Sequence, residues 1–206
     1  DAASEFPGLL QGSSLFAGDV FMRDEDGGLR SNALMLAEGV DWLLGQRVSV
    51  VNISIAGPAD RVLQLAMRRL VEKGVIPVAA AGNGGPSAAP AYPAAYDGVV
   101  AVTAVDRRLR PYRQANRGDY LSFAAPGVQV WIPNSDGSGG SYQQGTSFAA
   151  PYVTAAAATL LRRQSQGATP AELIGELGRG ARDLGAPGRD EVYGWGLVQA
   201  LGRNCP

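Results

Sequence analysis

The chain has 206 residues, 46% of them hydrophobic and 18% charged, enough to bury the core of one α/β domain or slightly more and too apolar for a disordered chain. Basic and acidic residues number 18 and 19, a balance that excludes the one-signed field of a nucleic-acid or anionic-membrane binder, and no apolar run reaches the roughly 18–20 residues of a membrane span. Histidine is absent, which excludes imidazole as base, acid or metal ligand within this chain, and Cys205 stands alone, which excludes an internal disulfide or a cysteine metal site.

Strand and helix patterns alternate along the chain. Residues 15–21 (LFAGDVF) form an apolar run that predicts a buried strand, followed by an acidic, Gly-rich turn from Arg23 to Gly28. Leu36, Val40, Leu43 and Leu44 recur at helical spacing between Ser31 and Gln46. Residues 48–55 predict a strand. Asp60 then caps a helix with a core face of Val62, Leu63, Ala66 and Leu70 and a stop at Gly74. Residues 75–81 and 99–105 are near-continuous apolar runs, the pattern of parallel strands covered on both faces. A Gly/Ala/Pro-rich loop separates them. A last strand region falls between Leu121 and Trp131, and Asn134 to Gly140 is turn-forming. An Ala-rich helix runs from about Ser147 to Arg163, and Thr169-Pro170 starts another. No internal repeat or linker interrupts the chain, so residues 1–206 read as a single α/β domain.

The chemistry concentrates in Gly145-Thr146-Ser147-Phe148-Ala149-Ala150-Pro151. A serine at a helix start sits where unpaired N–H groups and the positive end of the helix dipole converge, a setting that stabilises an oxyanion forming beside the hydroxyl. Taken alone, the heptapeptide also fits a serine that merely caps its helix. Asn83, flanked by Gly82 and Gly84 after an apolar run, is an amide donor able to reach such an oxyanion, or a residue supporting a left-handed turn.

The motif resembles the nucleophile segment Gly-Thr-Ser-x-Ala-x-Pro of the subtilase family of serine peptidases, and five further segments agree in order. These are residues 51–58 (VNISIAGP), 79–84 (AAAGNG), 90–106 (PAYPAAYDGVVAVTAVD), 124–127 (AAPG) and 193–200 (YGWGLVQA). The resemblance implies a three-layer α/β fold with a mostly parallel sheet flanked by helices, and peptide-bond hydrolysis through Ser147 with Asn83 in the oxyanion hole. It implies a polypeptide substrate lying along Ser54, Ile55, Ala56 and Gly57 as an added strand, with Ala80, Ala81 and Gly82 walling the first pocket and Thr146 also at the substrate. No cofactor and no metal is expected; Asp24, Glu25 and Asp26 read as a solvated turn. Trp131 and Tyr142 are given no role. The family resemblance favours an extracytoplasmic location.

The family pattern requires an Asp and a His before the groove strand, and this chain lacks both. The stretch from Asp1 to Gln11 resembles the segment after the family's histidine helix, so the expectation is an incomplete domain without its N-terminal strands, and Asp1 and Glu5 are not assigned to catalysis. The sole lysine, Lys73, has no sequence link to Ser147. In a subtilisin, loss of the histidine lowers turnover by on the order of 10⁶. The chain by itself is therefore expected to be inactive. A strand missing beside residues 48–55 leaves an open sheet edge, to be closed by residues 15–21, by an N-terminal segment or by a second chain. The sheet is expected to run in sequence order from residue 15 to about 130. Three readings stay open: part of a serine endopeptidase, a pseudoenzyme binding peptides in its groove without cutting, and a scaffold with no groove function.

Overall fold

The computed structural model describes residues 8–134, 136–163 and 169–199, so Asp1, Glu5 and Cys205 lie outside it. Residues 15–21 are not a buried strand. They join no ladder, with Leu15 90% and Phe21 43% exposed. Asp19 accepts a hydrogen bond from the N–H of Phe21, a local alternative to sheet pairing. The strand residues lie just beyond: β1 (Met22–Arg23) pairs antiparallel with β2 (Leu29–Arg30) across the acidic turn. Asn32 caps α1 (Ala33–Gly45), whose Val40 is buried with Leu36, Leu43 and Leu44 packed around the same core.

The central sheet contains β3 (Val50–Ile53), β4 (Ile76–Ala80), β5 (Val100–Val105) and β6 (Leu121–Pro126), all parallel and in that spatial order. The expected sequence order thus holds for these four and fails for residues 15–21. Between β3 and β4 lies α2 (Arg61–Glu72). Its N–H groups at Val62 and Leu63 bond the Asp60 carboxylate, and Gly74 ends it at φ +74°, a conformation glycine adopts without strain. The core face is Leu63, Met67 and Leu70. Val62 points outward at 46% exposure, because it lies off that stripe on the helix surface. The region 121–131 is two strands: beyond Gly127 the chain turns away, and β7 (Val130–Pro133) pairs antiparallel with β8 (Gly140–Gln143) as a separate hairpin. Then come α3 (Thr146–Arg163) and α4 (Pro170–Gly180), the latter opened by a capping box between Thr169 and Glu172.

Alternation along the parallel strands divides the core in two, which makes three layers. Val51, Ile53, Ala79, Ala101 and Leu121 face α1 and α2. Ile76, Val78, Val100, Val102 and Phe123 face α3 and α4. The two sheet edges differ. Beyond β6, Trp195 donates to the Ser122 carbonyl, and Ala124 exchanges bonds with Gly196 and Val198, so the closing motif seals that edge. A Cβ at Gly194 would lie 2.4 Å from the Ser122 carbonyl and one at Gly196 2.2 Å from the Arg182 carbonyl, which explains both glycines. The β3 edge has no such cover among the described residues.

Asp60→Ala removes the α2 cap. It should lower stability by about 1 kcal/mol. Thermal unfolding of the variant should then fall by about 2–4 °C, with the native circular-dichroism spectrum kept.

Candidate active site

The site forms where α3 begins, past the C-terminal ends of β3 and β4, the usual place for function in an open parallel sheet. Gly145 donates to the Gly127 carbonyl at 2.8 Å, so the 124–127 turn sets the entry of the helix. Its φ is +145°, and a Cβ there would come within 3.3 Å of the Asn83 Nδ2. Thr146 is fully buried. Its hydroxyl donates to Asn83 Oδ1 at 3.0 Å and accepts the Gly82 N–H at 3.2 Å, while its own N–H donates to the same Oδ1 at 3.0 Å. With two donors on its oxygen, the Asn83 amide has one orientation, and its NH₂ group has no partner among the described residues. The loop behind it is braced by Asn116, which accepts from Gly84 N–H at 2.7 Å and donates to the Ala89 carbonyl at 2.9 Å.

Ser147 lies at half-burial, and its N–H belongs to the first helical turn, where no intrahelical acceptor exists. Pro151 supplies no N–H, so the Ser147 carbonyl four residues back lacks its helical donor. The Ser54 hydroxyl fills that place at 2.9 Å, and the Ser147 Oγ donates in return to the Ser54 carbonyl at 3.3 Å. Asn52 donates from Nδ2 to Ser54 Oγ at 2.9 Å, and the Thr154 hydroxyl lies 3.0 Å from Asn52 Oδ1. Asn52 of β3, Ser54 just beyond it and Thr154 of α3 thus form one polar chain that ends at Ser147. Sequence reasoning missed Asn52, Thr154 and Asn116, whose partners are far away in the chain. The proline spacing was the one legible signal.

Among the expected substrate residues, Ser54 and Ile55 are half-buried and Ala56 is exposed, so their rim is open. Gly57 is half-buried, and its N–H and C=O are both bonded to Tyr92 at 2.9 Å. Ala80 and Ala81 lie in the core at 1% and 0% exposure, and Gly82 bonds Thr146 and Asn116 through its main chain. These three and Thr146 are buried beside the site. Tyr120 donates to the Ala81 carbonyl at 2.9 Å from a half-buried site that pushes its phenol pKa up.

No base stands beside Ser147 among the described residues. Lys73 caps α2 where β4 is about to begin, at the opposite end of the sheet, which rules out a Ser–Lys pair. Asp24 accepts from Arg30 and from the Gly28 N–H, and the guanidinium holds its carboxyl below the usual range. Among the described residues no group of three or more His, Cys, Asp or Glu is placed to hold a metal. Trp131 and Tyr142 pack edge to face on the hairpin, centroids 5.1 Å apart.

Thr146→Val keeps the shape but strands the Gly82 N–H and leaves the Asn83 oxygen one donor, the backbone N–H, instead of two. Urea unfolding should show a loss of about 1–3 kcal/mol, while Thr146→Ser should stay near the parent. Equal stability of the valine and serine variants would contradict the assigned pin.

Known proteins share this arrangement. The profile of the Subtilase family matches residues 3–196. The chain is 34% identical over 195 residues to the minor extracellular protease Epr of Bacillus subtilis, covering 93% of this chain and 29% of that protein. It is 32% identical to subtilisin BL of Lederbergia lenta, covering 94% of this chain and 68% of the relative. Among solved structures, the prenylagaramide maturation protease PagA superposes with a TM-score of 0.75 at 26% identity, over 88% of this chain and 69% of that one. Fervidolysin from Fervidobacterium pennivorans, a keratinolytic enzyme related to subtilisin, gives 0.73 at 32% identity, over 82% and 28%. The chain therefore spans 28% to 69% of the length of these relatives. With the motif order, the parallel sheet and the serine-bearing helix all in agreement, the chain belongs to the subtilase family.

Proposed function

We propose that this chain is the nucleophile-bearing part of a serine endopeptidase, inactive alone and completed by a polypeptide segment that supplies the histidine base. The observation that carries the reading is the pairing of Ser147 at the start of α3 with an Asn83 amide held by Thr146 so that its NH₂ group is free. An extended peptide lies along Ser54, Ile55 and Ala56. With a base present, the Ser147 Oγ gives up its proton, leaves the Ser54 carbonyl and attacks the scissile carbonyl carbon. The negative charge collects on the former carbonyl oxygen, and the Ser147 N–H and the Asn83 NH₂ receive it. Collapse expels the amine, which takes the proton from the base, and water then frees the acyl group from Ser147.

Without a base, the oxyanion hole and binding alone give on the order of 10³–10⁴ over water, too little to cleave a peptide bond usefully. No described helix is long and apolar enough to cross a membrane. The extracellular designation of the Epr relative supports an extracytoplasmic place of action for this chain.

The test is hydrolysis of a chromogenic peptide by the chain, alone and co-expressed with a histidine-bearing N-terminal subtilase segment. The chain alone should be silent and the pair active. Within the active pair, Asn83→Ala should lower kcat by about 10²–10³ with KM little changed. A pair that binds the peptide without cutting it contradicts the proposal and leaves a peptide-binding module.

A further inference from the structure

We infer, resting on the peptidase reading above, that the loop after β5, residues 106–118, is a cationic docking surface for an acidic stretch of the polypeptide substrate. Arg107, Arg108, Arg110, Arg113 and Arg117 all fall within this loop, and all are exposed. Nearby acids account for two of them. Asp106 forms a salt bridge with Arg110 at 2.7 Å. It also accepts the N–H groups of Arg110 and Arg108, and the Arg110 N–H above all holds its carboxyl below the usual range. Arg117 lies two residues before the exposed Asp119, and its neighbour Gly118 bonds the carbonyl of the exposed Glu191. Arg107, Arg108 and Arg113 form no salt bridge among the described residues.

The backbone of the loop is held in place. The Asp106 N–H bonds the Arg110 carbonyl at 2.9 Å, Leu109 turns the chain at φ +62°, and Pro111 bridges back to Val105. Its foot is fastened to the loop that carries Asn83. Gly85 donates to the Gln114 carbonyl at 2.9 Å, and Gly84 donates to Asn116 at 2.7 Å. The strand order β3-β4-β5 then sets the Ser54–Ala56 rim, Asn83 and this loop in a row across the C-terminal end of the sheet. A peptide that lies on the rim and presents one bond to Ser147 and Asn83 therefore continues toward the arginines. Counted along the chain and across the Gly85–Gln114 bond, the Arg113 Cα is within about 18 Å of the Asn83 Cα, a span of roughly five extended residues.

The chemistry selects an acidic peptide over a nucleic acid. Single strands are held by stacking of bases on aromatic side chains as well as by phosphate contacts. Tyr112, the one aromatic residue of residues 106–118, is half-buried against the core, and its hydroxyl bonds Gln114. The overall charge of −1 supplies no long-range attraction for a polyanion. Three unpaired guanidiniums a few residues from the reacting bond suit carboxylates carried by the same polypeptide, each exposed pair adding a little.

The probes are two pairs of fluorescent peptides. Each pair compares three glutamates with three glutamines, placed on one side of the scissile bond in the first pair and on the other side in the second. Binding is read by anisotropy with the chain alone, where no base is needed. In one pair only, glutamate should tighten binding about tenfold at low salt, a gain lost at high salt. Arg107→Gln/Arg108→Gln/Arg113→Gln should abolish the gain, and Arg23→Gln/Arg68→Gln/Arg179→Gln, which removes the same charge elsewhere, should keep it. Arg113→Glu alone should weaken the glutamate peptide and not its glutamine partner, which decides the matter if the triple variant misfolds. In the chain completed by a histidine-bearing segment, the loop variant should lower kcat/KM about tenfold for the glutamate substrate only. Equal binding of glutamate and glutamine peptides in both pairs overturns the inference, as does a gain that survives the loop variant or is lost in the control variant. So does a single-stranded oligonucleotide that binds this loop more tightly than the acidic peptide. A completed protein that never cuts, with the glutamate gain intact in the chain alone, refutes the peptidase reading and supports the docking surface.

Discussion

Pro151 has no N–H, and the carbonyl of Ser147 is consequently left without its helical donor. A helix interior would be weakened by that loss. Here the vacancy is filled from outside, by the Ser54 hydroxyl at 2.9 Å, and so the first turn of α3 is tied to the strand that leaves the sheet beside it. The rest of the site depends on this tie, because it fixes Ser147 relative to the segment from Ser54 onward. Asn52 and Thr154 extend the tie along the face of α3.

A second tie runs the other way, from Thr146 to the loop after β4. One hydroxyl serves Gly82 and Asn83 at once, and the backbone N–H adds a further bond. A buried hydroxyl with both its donor and acceptor roles used is costly to alter, because each lost bond strands a group that water cannot reach. The consequence for chemistry is orientation. An asparagine without fixed partners samples both amide flips, whereas this one, though exposed, presents its NH₂ alone. Gly145 permits the approach, since a side chain there would crowd the amide.

How much of this was legible depended on how local its cause was. The starts of α2 and α4 were readable because Asp60 and Thr169 bond N–H groups two and three residues away. The central strands were readable as continuous apolar runs, which is what burial on both faces demands. Residues 15–21 carry the same apolar signature without a sheet partner, and nothing in the run itself separates the two cases. Gly57 was placed on the substrate rim by its motif, but its pairing with Tyr92 belongs to a contact 35 positions away in the chain. The roles of Thr146, Asn52 and Thr154 were invisible for the same reason, their partners lying 63 to 102 residues off. Ser147 and Asn83 were singled out because the subtilase motifs mark their positions directly, and the structure brings Asn83 and the start of α3 together through Thr146.

Ser147, the proposed nucleophile, thus stands in a chain that holds no histidine. The most direct test is labelling of Ser147 by a fluorophosphonate, followed by peptide mapping, in the chain alone and in the chain joined to its histidine-bearing segment. Labelling of the chain alone should be negligible. In the joined protein Ser147 should label faster by several orders of magnitude, on the scale of the about 10⁶ that a subtilisin owes its histidine. Equal labelling in both forms, or label on a residue other than Ser147, would contradict the proposal that Ser147 is a nucleophile in want of its base.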